Sequence, residues 1–187
     1  MAKIGLNNFR VAVATIASDG TITYDGAQKP SKAVRFSFEP TVSDAKLYAD
    51  DGLAESDSRV TGGTVTLGLA SEDLPIQCDI LGHEYDEETG EVVDDANDIA
   101  PYVGVGRVTR LLVNGVQKFR ATVLALCKFT EPSEEDNTMG ESVEFNTYEL
   151  SGTMVVPENG KWRHRKVFTT QAAAIEYIES ILAAPSI

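Results

Sequence analysis

Short runs of alternating apolar and polar residues recur along the chain, and most end at Gly, Pro, Asn or Asp. That punctuation predicts strands joined by turns. Phe9 to Ala17 is rich in Val, Ala, Thr and Ile and reads as a strand. Ser18-Asp19-Gly20 turns it into a return strand at Thr21 to Tyr24. Lys32 to Glu39 alternates cleanly, with Val34, Phe36 and Phe38 on one side, until Pro40 interrupts it. Val42 to Tyr48 can continue as a strand. The polar, small and turn-rich residues that follow read as an exposed loop, taken as about 44–60. Arg59 to Ala70 predicts another strand, with Gly62-Gly63 marking a bulge or kink. After a Ser71 cap, Leu74, Cys78 and Leu81 share one helical face and Gly82 ends a short helix. Glu84 to Val93 reads as a small acidic hairpin around Thr89-Gly90. Val143 to Val156 reads as a strand with neither side cleanly apolar, and Lys161 to Thr169 as a short last strand. Thr170 can cap a final helix, Gln171 to Leu182, striped with Ala174, Ile175, Ile178 and Ile181. Residues 1–8 carry little pattern and read as an N-terminal arm.

The best-specified stretch is Pro101 to Phe129. Asn114-Gly115 is a strong hairpin signal, because both turn positions need positive φ. Folding about it pairs Val113 with Val116, Leu111 with Lys118, Thr109 with Arg120 and Arg107 with Thr122. One face then carries Leu112, Val108, Gly106, Gly104, Phe119, Ala121, Val123 and Ala125 and reads as a core face. The other is cationic at Arg107, Lys118 and Arg120, and apolar further out at Val103, Val105, Leu124 and Leu126. A strand pair with apolar residues on both faces and cations between them suits a contact with another chain. Together these elements predict a single domain over 1–187, mainly β with α additions. The expected form is an antiparallel β-sandwich or barrel flanked by one or two short helices.

Composition narrows the function classes. The apolar share of 42% is that of a soluble globular chain. MAKIGLNNFRVAVATIA has no long apolar core, so no signal peptide is expected, and no run approaches the length of a membrane span. A net charge of −13 argues against a basic nucleic-acid footprint. No Lys or Arg falls between Arg59 and Arg107 or between Glu131 and Gly160, and cations return at Lys161, Arg163, Arg165 and Lys166. Such runs read either as solvated surface or as complementary surfaces on copies of one chain.

Site chemistry is sparse. His83 has no second His or Cys at ligand spacing, and residues 95–100 lack the ligands and glycine of a calcium loop, so no metal and no cofactor is expected. No nucleophile, base and orienting group can be assembled, so no catalytic residue is assigned and the chain is read as not an enzyme. Gly104-x-Gly106 lies inside a strand; it reads as room for a neighbouring backbone or for sheet curvature rather than a dinucleotide fingerprint. Cys78 and Cys127 read as buried free thiols, with a disulfide between them left open. Trp162 reads as an aromatic shielding the terminal helix or as an interface anchor, and His164 as an exposed strand residue or part of a cationic surface.

The order of features resembles the major tail proteins of long-tailed, non-contractile bacteriophages, the group built around a staphylococcal phage tail-tube protein. The likeness rests on Ile4-Gly-Leu-Asn-Asn-Phe-Arg10, Lys46-Leu-Tyr-Ala-Asp-Asp-Gly52 and the acidic stretch before Pro101-Tyr-Val-Gly-Val-Gly106. It continues through Lys128-Phe-Thr-Glu-Pro132, Leu150-Ser-Gly-Thr-Met-Val-Val156, Gly160-Lys-Trp162 and the terminal helix. It implies a virion structural protein that assembles with itself into hexameric rings. Stacked rings would form a tail tube conducting DNA without specific binding, put together in the host cytoplasm. Tape measure and tail terminator proteins are the implied partners, with no membrane. Asp50, Asp51 and Leu53 in the long loop then stand as inter-subunit contacts, with Arg107, Lys118, Arg120, Lys161, Arg163, Arg165 and Lys166 beside them. A tail terminator or neck protein of related fold, or a small-ligand-binding β-barrel, are the alternatives.

Overall fold

The computed structural model describes residues 2–49, 52–134 and 147–183, with side chains described for all of these except 45–56. The chain forms β1 (Ala2–Ile16), β2 (Ile22–Tyr24), β3 (Ala33–Ala49), β4 (Gly52–Leu69), α1 (Leu74–Leu81), β5 (Glu84–Tyr85) and β6 (Val92–Val93). It continues with β7 (Tyr102–Val113), β8 (Val116–Thr130), β9 (Tyr148–Val155), β10 (Arg163–Phe168) and α2 (Gln171–Ile181). One antiparallel sheet runs β2-β1-β7-β8-β9-β4-β3, with β10 also paired to β8; β5 and β6 make a separate two-stranded hairpin. The fold is an antiparallel β-sandwich with helical additions.

The β7–β8 hairpin is the spine. Asn114 and Gly115 take positive φ values of 50° and 78°. The turn sets the register foreseen from the sequence, from Val113 opposite Val116 to Arg107 opposite Thr122. β8 then changes partners along its length. Phe119–Leu124 pair with β10, and Cys127–Thr130 pair with β9. Between them the pairing with β7 shifts by one residue, from Val105 opposite Leu124 to Val103 opposite Cys127. Such a bulge bends the strand and reverses its alternation. For that reason Leu126, expected beside Val103 and Val105, lies on the opposite face.

Both faces of the hairpin are therefore buried, against different layers. Val103, Val105, Leu124 and Phe129 pack against Val65, Leu67, Leu150 and Met154, and Ile80 and Leu81 of α1 join them. Val108, Ala121, Val123 and Leu126 pack under Ala174, Ile178 and Leu182 from α2 and its C-cap. Burying each such aliphatic side chain is worth roughly 1.5–3 kcal/mol. A Cβ on Gly106 would collide with Ile178, and one on Gly104 with Tyr24 and Leu182. The glycine pair thus makes room for helix side chains, not for a neighbouring backbone. Thr170 caps α2, its Oγ1 accepting from Ala173 N at 3.3 Å. α1 begins two residues later than a Ser71 cap would give, with Asp73 at the N-cap position.

Three expectations need correction. Residues 1–8 are not a free arm, because Ala2 to Asn7 pair with β7 from Leu112 to Val108. Ala2 to Gly5 are exposed, so this pairing leaves no burial alternation in the sequence. The stretch at about 44–60 is not a loop. β3 and β4 stay paired out to Ala49 opposite Gly52. Ser43, Asp44, Asp57, Ser58 and Arg59 are exposed, so the polar composition reports solvent on the ribbon rather than loss of strand. Finally, Trp162 leans on Phe38 at 5.7 Å between ring centroids and not on the terminal helix. In β9, Leu150, Gly152 and Met154 face inward, while residues 143–146 lie outside the described residues. Cys78 and Cys127 are buried and unpaired with each other. No helix among the described residues is long and apolar enough to cross a membrane.

Candidate interaction surface

Register across β7, β8 and β10 places side chains in rungs on one face of the sheet. Val105, Leu124 and Arg163 form one rung; Arg107, Thr122 and Arg165 form the next; Thr109, Arg120 and Val167 follow; Leu111 and Lys118 lie beyond. Directly opposed residues of antiparallel strands share a face. Four arginines and a lysine therefore converge on one face of the sheet, which they share with the buried Thr109, Leu111 and Thr122. None of the five makes an ion pair among the described residues. The nearest layers offer aromatics instead of carboxylates. The Arg107 guanidinium carbon lies 3.7 Å from the Phe36 ring centroid, and that of Arg163 lies 4.2 Å from Trp162. Arg120 Nε and Thr122 Oγ1 are buried and find no hydrogen-bond partner among the described residues.

This crowding has an electrostatic signature. Burial, then the charges of Arg120 and Arg163, push the Arg107 guanidinium down to about 10. Burial, followed by Arg165 and Arg120, also lowers Arg163. Arg107 and Arg163 stay cationic at neutral pH, and a neighbouring anion would relieve their crowding.

The sequence-predicted contact residues separate into groups. Arg107, Lys118, Arg120, Arg163 and Arg165 come together. Lys161 sits apart in a turn, its backbone N–H donating to Asn159 Oδ1 at 2.8 Å. Lys166 points to the helix side, its Nζ 5.3 Å from the Phe168 ring and 5.5 Å from Tyr177. Strand alternation divides the basic run 161–166, and His164 falls on the Lys166 side. Asp50 and Asp51 lie outside the described residues. The backbone of Leu53 pairs with that of Tyr48 near the end of the β3–β4 ribbon.

A second charged constellation was not visible in sequence. His83, immediately after α1, is held between carboxylates from two directions. Its Nδ1 lies 2.8 Å from Asp98 Oδ2 and 3.6 Å from Asp94 Oδ1, and its Nε2 lies 2.7 Å from Glu131 Oε1. The hydrogen bond with Asp98 leads in raising the imidazole above its ordinary value, aided by Glu131 and Asp94 and opposed by burial. The imidazolium thereby ties the acidic 84–98 hairpin to the far end of β8. Among the described residues no cluster of His, Cys, Asp and Glu has the geometry to hold a metal ion. Burial raises both thiols, that of Cys127 to about 12, so both are protonated and unsuited to nucleophilic work.

The chain matches no protein-family model, and no curated protein matches it.

Proposed function

We propose that this chain is a virion structural protein that assembles with itself, stacking hexameric rings into a phage tail tube through which DNA passes. One observation carries the self-assembly part of the reading. Among the described residues, the outer half of the β3–β4 ribbon is paired only with itself. β9 accompanies β4 no further than Gly62, yet the two ribbon strands continue to Ala49 and Gly52. An isolated two-stranded ribbon in water is marginal, so a projecting one is best accounted for by a partner surface elsewhere. The cationic face supplies a second, separate surface, and two unlike surfaces on one chain suit the head-to-tail contacts that close rings. The tail-tube part rests on the sequence resemblance, to which the sandwich with its flanking helix conforms.

Negative-stain electron microscopy of the purified chain tests this. Six-fold rings or tubes are expected. Closed single rings that never stack would favour a terminator or neck protein, and a monomer at all concentrations would overturn the reading.

A further inference from the structure

We propose that the cationic face of β7, β8 and β10 seats the acidic 84–98 hairpin of a second copy, making a polar head-to-tail contact. This inference rests on the self-assembly reading and names the two surfaces that meet.

The face is built for carboxylates. Arg107, Arg120, Arg163 and Arg165 are gathered on adjacent rungs with no acidic residue among them. Arginine presents a planar fork of donors that matches a carboxylate edge. The aromatic rings of Phe36 and Trp162 hold two of the guanidinium groups in place before any ligand arrives.

The occupant follows from charge and position. Residues 84–98 contain no Lys or Arg and are dense in Asp and Glu. Their fold is fixed locally: Asp86 Oδ1 accepts from Glu88 N at 2.8 Å, Asp95 Oδ1 accepts from Asn97 N at 2.8 Å, and His83 anchors the base. Glu87, Glu88 and Glu91 are exposed and make no ion pair among the described residues. Within one copy no ion pair joins the two surfaces among the described residues. His83 bonds Glu131 at the far end of β8, and Arg120 lies eleven residues back along that extended strand. At ~3.3 Å per residue the separation is about 35 Å. A contact between such opposed ends repeats from copy to copy and yields a ring or a filament.

Charge reversal and complementation test the pairing by sedimentation velocity on the full chain. Arg120 is half-buried, so one variant carries Lys118→Glu and Arg165→Glu, with a melting curve to verify folding. The other carries Glu87→Lys and Glu88→Lys on the exposed hairpin. Each alone should weaken self-association about tenfold or more at low salt. Mixing the two variants, or combining all four changes in one chain, should recover most of it. Reversals that leave association unchanged, or a combined variant that stays weak, would overturn this contact. Rings that ignore the reversals would overturn this proposal and leave the tail-tube reading standing. A chain that never associates would overturn both.

Discussion

The β7–β8 hairpin and the β3–β4 ribbon are both long antiparallel pairs, yet they stand in opposite situations. The first has a layer on each face over much of its length, β3, β4 and β9 on one side and α2 on the other. The second leaves the sandwich after Gly62 and continues with no third strand among the described residues. Backbone pairing is the same in both, so pairing alone does not account for where stability resides. Buried apolar surface does, and it is concentrated around β7 and β8. At the ribbon Ser43, Asp44, Asp57, Ser58 and Arg59 are exposed, so backbone order is kept there with little burial.

The sharpest way to break the contrast is to cut into the shared core. Phe129 is 1% exposed and lies in the part of β8 that pairs with β9, opposite Gly152. Phe129→Ala should cost about 3–5 kcal/mol of unfolding free energy in a urea titration, through lost transfer energy and a cavity. A loss below about 1 kcal/mol would mean that this part of the sandwich is not the principal core.

A smaller effect is expected at the joint between the acidic hairpin and β8. The folded-state value of His83 is raised, so its contribution is fully present below its unfolded value of ~6.5 and disappears as pH rises through the folded one. Asp98 is lowered, chiefly by its hydrogen bond with His83, so its share is present above ~3.9 and is lost as pH falls through its folded value. The two windows overlap on the mildly acidic side of neutrality. His83→Gln should therefore lower the melting temperature by about 2–4 °C near pH 6 and by clearly less near pH 9. A pH-independent difference would show that the side chain acts through packing rather than charge.

These regions differed just as much in how far they could be read in advance. The Asn114-Gly115 turn and its β-branched flanks specify register locally, so every rung from Val113 to Arg107 was legible. The reversal of Leu126 was not, because the bulge answers to the strands that β8 meets later in the chain. The cationic face was half legible. Arg107, Lys118 and Arg120 follow from the hairpin alone. Arg163 and Arg165 join them, and Lys166 leaves them, only through the register of β10 on β8, about forty residues apart in sequence. The His83 joint draws on Asp98 and Glu131, 15 and 48 residues away, with no local spacing to announce it. The ribbon failed for a different reason. A strand with solvent around it has no inward face to make apolar, so its sequence has the composition of a loop.

That last point sets the smallest expected change in stability, and the largest in assembly. Residues 43–59 can be replaced by a two-residue Asn-Gly turn joining Val42 to Val60, which already face each other in the register. Val42 is 48% exposed, and β4 keeps its β9 pairing from Gly62 onward, so the excision removes little from either core. The melting temperature should move by no more than about 2 °C, within the range of surface changes. Far-UV circular dichroism should lose strand signal in proportion to the ribbon, which deletion of a true loop would not do. On the proposed tail-tube reading, ring stacking and tube growth should cease, because the projecting ribbon would no longer meet a neighbour. If the shortened chain still builds tubes, the ribbon is not an assembly element. If it fails to fold, the ribbon belongs with the core and not with the assembly surfaces.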